Sequence, residues 1–125
     1  MPVSESARAA FDQGWNCHLT TRGRKTGRPR TVTIWYAPAF DQGDEGVVYL
    51  TGGADDPQWC RNIRACADVE IEVAGETLVG RAEVIDDEAQ ATEIRDRFTQ
   101  RYALARLSRV FGGYTKSVAV RVVLD

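Results

Sequence analysis

The sequence has few of the residues that carry catalysis without a cofactor. Its 125 residues include one histidine, His18, and three cysteines, none of which form a C-x-x-C pair. Cys17, Cys60 and Cys66 therefore indicate neither a disulfide framework nor a zinc knuckle, and we expect reduced, partly buried thiols. Cys17 directly precedes His18, but the alternation of this strand places their side chains on opposite faces, and no cluster has metal-ligand spacing. We predict no metal site, and we interpret His18 as a strand residue.

Long apolar runs are also missing. No stretch approaches the ~18 apolar residues of a membrane helix, and residues 1–5 lack the basic start and apolar core of a secretory signal. We therefore expect a cytoplasmic protein without a membrane span. The hydrophobic content of 43% and the charged content of 27% are typical of a folded chain. The length predicts one domain over residues 1–125.

The charge is distributed unevenly along the chain. The net charge is −2, which argues against a nucleic-acid-binding protein with a basic face. Five of the 16 basic residues nevertheless lie between positions 22 and 30, a segment that we call the basic turn. They are Arg22, Arg24, Lys25, Arg28 and Arg30. Such a local cluster fits one small anion, although a solvated loop would have the same composition.

Two common phosphate-binding motifs are missing from the basic turn. Lys25-Thr26 is not preceded by the glycine that a Walker loop requires, and no G-x-G-x-x-G precedes a helix. The guanidinium groups of arginines are planar forks that match phosphate and carboxylate oxygens. An anion bound here would therefore be held by side chains and turn amides.

Alternation of apolar and polar residues predicts six short strands. One starts at Trp15, and others cover residues 30–37 and 47–51, so the basic turn is the tip of the first hairpin. The remaining strands are predicted over residues 69–73, 76–85 and 118–124, with Ala74-Gly75 as a tight turn. Strands linked mostly by hairpins favour a small antiparallel barrel over a doubly wound parallel sheet.

Three helices are predicted around these strands. Residues 1–14 contain a leading helix, before the barrel with its inserted helices over residues 15–125. Asp56 as a cap and Pro57 as first helical residue predict a second helix that runs to about Ala67. Asp86-Asp87 begins a third. Its apolar stripe consists of Ala91, Ile94, Phe98 and Tyr102.

Two segments carry a resemblance to a known family. They are LTTRGRKTGRPRTVTIWY, residues 19–36, and DPQWCRNI, residues 56–63. Together they resemble the deazaflavin-dependent nitroreductase family, a branch of the split β-barrel flavin-binding superfamily. The resemblance implies a mainly β (α+β) fold, a six-stranded antiparallel split β-barrel with flanking helices. It also implies an oxidoreductase that transfers hydride from reduced coenzyme F-420 to a small quinone, nitro or other activated unsaturated acceptor.

The resemblance also implies roles for residues of the first hairpin. Lys25 and Arg30, with Arg24 beside them, match positions that hold the phosphate and carboxylate-rich tail of the deazaflavin. Thr33 and Trp35 match positions that line its ring system, and the alternation places both on one face of the strand. The split barrels of this superfamily commonly pair, so a homodimer is expected.

Four further positions match the cofactor site of the family. Thr51 and Gly52 match a strand end and loop that give backbone contacts to the cofactor. Trp59 and Asn62 match two helix residues that face the cleft, and their spacing of three predicts a shared helix face. A tryptophan inside a helix is also a common core residue, and an asparagine there can simply close a turn.

The catalytic group and the flavin type stay open. A deazaflavin carries the hydride itself, so no acid–base triad is required, and Tyr102 and Tyr114 are candidate proton donors. Asp55-Asp56 lies in a loop where the family often has a basic residue, and its charge would repel a phosphate. FMN, whose single phosphate needs fewer cations, is therefore an alternative cofactor. A non-catalytic binder of an anionic ligand, such as a fatty acid or a tetrapyrrole, is another.

Overall fold

Six strands form one closed antiparallel barrel with the strand order β1-β2-β3-β6-β5-β4. The structure is a computed structural model that describes residues 4–14, 16–39, 46–51, 57–101 and 118–125. Its elements are α1 (Glu5–Gln13), β1 (Asn16–Arg22), β2 (Pro29–Pro38), β3 (Val47–Thr51), α2 (Gln58–Ala65), β4 (Asp68–Val73), β5 (Glu76–Val84), α3 (Glu88–Arg101) and β6 (Val120–Leu124). The predicted mainly β (α+β) class and the six-stranded barrel with flanking helices are confirmed. The single domain over residues 1–125 stays a prediction.

The inward-facing residues of the strands fill the barrel. Leu19, Leu50 and Ile71 are fully buried there, each on a different strand. Burying a side chain of this size contributes about 1.5 to 3 kcal/mol relative to its exposure. Helix α1 packs on this core through Phe11, whose carbonyl oxygen accepts a 2.5 Å hydrogen bond from the Tyr36 hydroxyl. The alternation in the sequence is thus the alternation between the inside and the outside of the barrel.

A second, smaller core lies outside the barrel under α3. Ala91, Ile94 and Phe98 of this helix pack against Ala37 and Ala119. These three helix residues confirm the predicted stripe, whose fourth member, Tyr102, lies outside the described residues. No described helix is both long enough and apolar enough to cross a membrane.

The predicted tight turn between β4 and β5 is present. Ala74 and Gly75 have φ angles of 52° and 84°, so both lie in the left-handed region. Two successive residues of this kind are typical of the two-residue turn that matches the twist of a hairpin. The register continues directly from Val73 paired with Glu76.

The predicted bounds of α2 were wrong at both ends. Pro57 is the N-cap and not the first helical residue, because its carbonyl oxygen already accepts hydrogen bonds from the amides of Cys60 and Arg61. Asp56 lies outside the described residues. The helix ends at Ala65, and the Ala67 carbonyl oxygen accepts a 2.8 Å bond from the amide of Ala82 on β5. The chain has therefore left the helix and joined the sheet by residue 67.

The two aspartates before α3 have different roles. Asp87 caps the helix, because its Oδ1 accepts hydrogen bonds from the amides of Ala89 and Gln90 at 2.9 and 3.4 Å. Asp86 instead forms a 2.8 Å ion pair with Arg64 of α2. The hydrogen bond from Arg64 and its positive charge lower the pKa of the Asp86 carboxyl group. This pair links α2 to the start of α3.

Candidate active site

A cleft of about 490 Å³ lies between the basic turn and α2. It is lined by Thr21, Gly23, Arg24, Lys25, Thr26, Arg30, Thr31, Val32, Gln58, Trp59 and Asn62. Five of the nine predicted cofactor-binding residues are among them, namely Arg24, Lys25, Arg30, Trp59 and Asn62. The fold therefore brings together two sequence segments that are about 30 residues apart.

The basic turn is closed by its own hydrogen bonds. The amide of Gly23 donates to the carbonyl oxygen of Arg28, and the amide of Gly27 donates to that of Gly23, both at 2.8 Å. Gly27 has a φ of 72°, which favours glycine at this position. The Arg22 guanidinium donates to the Gly27 carbonyl oxygen at 3.2 Å, and the Thr26 hydroxyl accepts from the amide of Arg28. These bonds give the cationic side chains a defined backbone.

The positive charges of the basic turn are divided between the cleft and the outside. Arg24, Lys25 and Arg30 line the cleft, whereas Arg22 and Arg28 do not. Among the residues that the structure describes, no carboxylate forms an ion pair with Lys25, Arg28 or Arg30. Three cations beside one cavity repel one another, and a bound anion would relieve that repulsion. The electrostatics of the cleft therefore favour an anionic ligand.

Helix α2 contributes Gln58, Trp59 and Asn62 to the lining of the cleft. Trp59 is 6% exposed and Asn62 is 5% exposed, and both line the cleft. The predicted shared helix face is thus observed. Trp59 also packs with Ile63 in the barrel core, so the core interpretation of this tryptophan holds beside its place at the cleft. Its aromatic ring gives the cleft an apolar wall.

The side-chain amide of Asn62 connects α2 to the first hairpin. Its Oδ1 accepts hydrogen bonds from the backbone amide of Arg24 at 3.2 Å and from Nη1 of Arg24 at 3.1 Å. Its Nδ2 donates to the Thr21 hydroxyl at 3.3 Å. Asn62 therefore does more than close a turn in its own helix.

Three predicted residues lie away from the lining of this cleft. Thr33 and Trp35 are on the outer face of β2, where Thr33 hydrogen-bonds with His18 Nδ1 at 3.1 Å and Trp35 packs against the α3 core. Thr51 faces Trp35 across the β2–β3 ladder and is 3% exposed. Its hydroxyl is buried without a hydrogen-bond partner among the described residues. Gly52 lies outside the described residues.

Of the residues considered for acid–base chemistry, the structure describes only His18. Tyr102, Tyr114 and the Asp55-Asp56 pair lie outside the described residues. His18 is on β1, as predicted, with a side chain that is 55% exposed and Nε2 at 4.0 Å from a Glu72 carboxylate oxygen.

Free thiols offer no nucleophile at the site. Burial raises the pKa of the Cys17 thiol to about 12, so this group stays protonated near neutral pH. Cys60 is also buried, and Cys66 is partly buried. All three thiols are free, as predicted, but Cys17 and Cys60 are fully buried and only Cys66 is partly buried. Within the described ranges, no group of three or more histidine, cysteine or acidic residues could hold a metal ion.

The sequence interpretation missed six residues of the cleft. They are Thr21, Gly23, Thr26, Thr31, Val32 and Gln58. A signal existed for Thr21, which shares the inward alternation of Cys17 and Leu19 at the barrel end nearest the basic turn. Gln58 directly precedes Trp59, so its place follows once the helix start is known.

The closed antiparallel barrel defines a split-barrel fold, and one cleft at its end is lined by three cationic side chains. Two solved structures have the same fold. An FAD-binding protein from Mesorhizobium loti superposes with a TM-score of 0.69 at 17% identity, covering 98% of this chain and 91% of that one. A haem storage protein from Vibrio cholerae gives a TM-score of 0.70 at 13% identity, with coverages of 100% and 92%. At such identities the likeness shows the fold alone.

The family follows from the sequence. The model of the F420H(2)-dependent quinone reductase family matches residues 8–124, and this chain belongs to that family. An F420H(2)-dependent quinone reductase of Mycobacterium tuberculosis is 40% identical over 57 residues. That match spans 44% of this chain and 36% of the relative, so the chain matches only about a third of the relative's length. The family agrees with the resemblance seen in the sequence.

Proposed function

We propose that this protein is an oxidoreductase that binds reduced coenzyme F-420 in the basic cleft and delivers hydride to a small acceptor. Quinones are the first acceptor class to test, because the family is named for them, and nitro or other activated unsaturated compounds come next. One observation carries the proposal. Arg24, Lys25 and Arg30, which are clustered in the sequence, line one cleft with Trp59 and Asn62.

The side chains of the cleft fit the charge of this coenzyme. The deazaflavin tail contains a phosphate and several carboxylates, whereas FMN contains one phosphate. Three cationic side chains face the cleft, which is more than a single phosphate needs. Guanidinium and ammonium groups bind phosphate and carboxylate oxygens through charge-assisted hydrogen bonds. The volume of about 490 Å³ lies in the range of small-molecule sites.

In this proposal, the protein binds and orients while the coenzyme supplies the hydride. Lys25 and Arg30 neutralise the anionic tail, and Arg24, held by Asn62, gives it a fixed contact. Trp59 provides an apolar wall that excludes water from part of the cleft. Cys17 takes no part as a thiolate, because its thiol stays protonated and does not line the cleft. The proton for the reduced acceptor comes from solvent or from Tyr102 or Tyr114.

The ring of the coenzyme is proposed to extend from the cleft toward the β2–β3 ladder. Thr33 and Trp35 lie along β2 in that direction, and Thr51 is paired with Trp35. The buried Thr51 hydroxyl without a partner among the described residues supports a ligand contact there. An unpaired buried hydroxyl costs about 1 to 3 kcal/mol, which a hydrogen bond to a ligand would recover. The backbone of Gly52 is also proposed to contact the coenzyme, as the family resemblance implies.

The proposal also covers the oligomeric state, the cellular location and the partners of the protein. A homodimer is proposed from the resemblance, and light scattering on the purified protein measures its mass. A cytoplasmic location is proposed because three free thiols suit a reducing compartment. No nucleic acid is proposed as a partner, since the basic residues are confined to one turn of a net acidic chain.

Lys25→Ala and Arg30→Ala test the cleft, with Arg28→Ala as the matched control. All three variants lose one positive charge from the basic turn, but Arg28 does not line the cleft. Loss of a charge-assisted bond costs about 1.5 to 3 kcal/mol, so the first two variants should weaken coenzyme F-420 binding by roughly 10-fold to 150-fold. Arg28→Ala should change the Kd by less than about 3-fold at physiological salt, because screening weakens distant charges.

Fluorescence titration with the oxidised coenzyme measures these dissociation constants. Thermal melts of each variant show whether the barrel is intact. Equal losses of affinity in Arg28→Ala and Lys25→Ala would mean that the charge of the turn acts at long range and that the cleft is not the binding site. Unchanged affinity in both Lys25→Ala and Arg30→Ala would contradict the proposal directly.

A further inference from the structure

Asn62 makes all of its described side-chain hydrogen bonds to the first hairpin. It lies on α2, yet its amide contacts Thr21 at the end of β1 and Arg24 in the basic turn. Because Asn62 is only 5% exposed, water has little access to these bonds. The separation of 38 residues between Asn62 and Arg24 makes this a tertiary contact and not a local turn.

One oxygen atom fixes both the backbone and the side chain of Arg24. Oδ1 accepts from the Arg24 amide at 3.2 Å and from its Nη1 at 3.1 Å. Arg24 is exposed, so without this bond its guanidinium would sample many rotamers. A guanidinium has five N–H donors, and only one of them is used by Asn62. The others stay available for a ligand in the cleft.

The uncharged character of Asn62 matters for an anion site. A carboxylate at this position would orient the guanidinium equally well but would also cancel its charge. An amide oxygen orients Arg24 and leaves its full positive charge to the cleft. Lys25 and Arg30 differ in this respect, because no side-chain hydrogen bond within the described residues holds them. Arg24 is therefore the preorganised cation of the three.

We propose that Asn62 is a positioning residue that sets the anion affinity of the cleft through Arg24. The inference rests on the proposed function in that the ligand of the cleft is taken to be an anionic coenzyme. Its consequence is thermodynamic coupling between the two positions. Once the Arg24 side chain is removed, Asn62 keeps its bond to the backbone amide of residue 24 but has no guanidinium to orient, so its own replacement should cost less affinity than it does in the wild type.

A double-mutant cycle measures this coupling. Asn62→Ala, Arg24→Ala and the double variant are titrated with oxidised coenzyme F-420 and, separately, with inorganic pyrophosphate. We expect each single variant to weaken binding by on the order of 10-fold, and the double variant to be within about 3-fold of Arg24→Ala. Arg64→Ala is the control. It removes a positive charge from the same helix, but Arg64 pairs with Asp86 and does not line the cleft. It should bind like the wild type.

Asn62→Asp supplies a second test if Asn62→Ala does not fold. Aspartate keeps both acceptor bonds to Arg24, and the Thr21 hydroxyl can donate to its second oxygen, so the melting temperature should stay close to the wild-type value. Its negative charge should nevertheless weaken the binding of both probes by on the order of 10-fold. Binding by Asn62→Asp as tight as that of the wild type would overturn the inference.

The two probes separate this inference from the proposed function. Additive losses in the Asn62–Arg24 cycle would overturn the positioning role, because the two residues would then act independently. Wild-type protein that binds pyrophosphate but not coenzyme F-420 would refute the proposed function. The cycle measured with pyrophosphate would still decide the role of Asn62.

Discussion

The titration of Cys17 provides a quantitative test of the barrel interior. Its thiol is 1% exposed, and burial raises its pKa from an ordinary value of 9.0 to about 12. Above pH 9 the unfolded chain loses this proton while the folded chain keeps it, so the unfolded state binds fewer protons. Stability must therefore fall as pH rises from about 9 toward 12.

The size of the effect follows from the two pKa values. Each pH unit within that window costs about 1.4 kcal/mol, so by roughly pH 10.5 the loss from Cys17 is about 2 kcal/mol. For a chain of 125 residues this corresponds to a fall in Tm of about 8 °C. Other groups also titrate at this pH, so a comparison with a variant that lacks the thiol is needed.

Cys17→Ala isolates the contribution of this thiol. At pH 8 the variant should be about 1 to 2 kcal/mol less stable than the wild type, because it leaves a small cavity. Urea unfolding at pH 10.5 should show that gap reduced by about 2 kcal/mol, since only the wild type loses the Cys17 contribution. Cys66→Ala, which replaces a partly buried thiol, is the control. A gap independent of pH would refute the assigned burial and pKa of Cys17.

Two backbone predictions test the barrel and its turn. Gly80→Ala should lower stability by about 1 to 3 kcal/mol in thermal melts, because its Cβ would contact the Val123 carbonyl oxygen and lie 2.9 Å from Leu124 Cα. Gly46→Ala, whose Cβ would lie 3.8 Å from the Leu124 carbonyl oxygen, is the control, and equal melting temperatures for the two variants would contradict the argument. Ala74→Gly should raise stability by about 0.5 to 1 kcal/mol, because Ala74 has a φ of 52°. A loss of stability on this change would show that the turn is not strained.

The strands were predictable because one face of each strand is buried in the barrel. In β6 the burial alternates strictly from Val120 to Leu124, so the sequence period and the structural period coincide. The start of α2 was harder, since Asp and Pro are both favoured near helix N-termini. The hydrogen bonds to the Pro57 carbonyl oxygen, which decide the cap, depend on the backbone geometry.

The candidate site was predictable in its residues but not in its contacts. Helical spacing places Trp59 and Asn62 on one face, but nothing in the sequence shows that the Asn62 amide reaches Arg24. That contact depends on how α2 packs at the end of the barrel. Alternation likewise groups Thr33 with Trp35, but it does not show that Trp35 packs against the α3 core or that both residues lie away from the lining of the cleft.

Thermal melts of the wild-type protein with coenzyme F-420 and with FMN, in separate samples, test the central claim most directly. A ligand at 100 times its Kd stabilises the folded state by about 2.7 kcal/mol, which corresponds to a rise in Tm of roughly 10 °C for a domain of this size. We expect coenzyme F-420 to give a shift of this order at saturation and FMN to give a smaller one. A shift with FMN and none with coenzyme F-420 would contradict the account of the cleft.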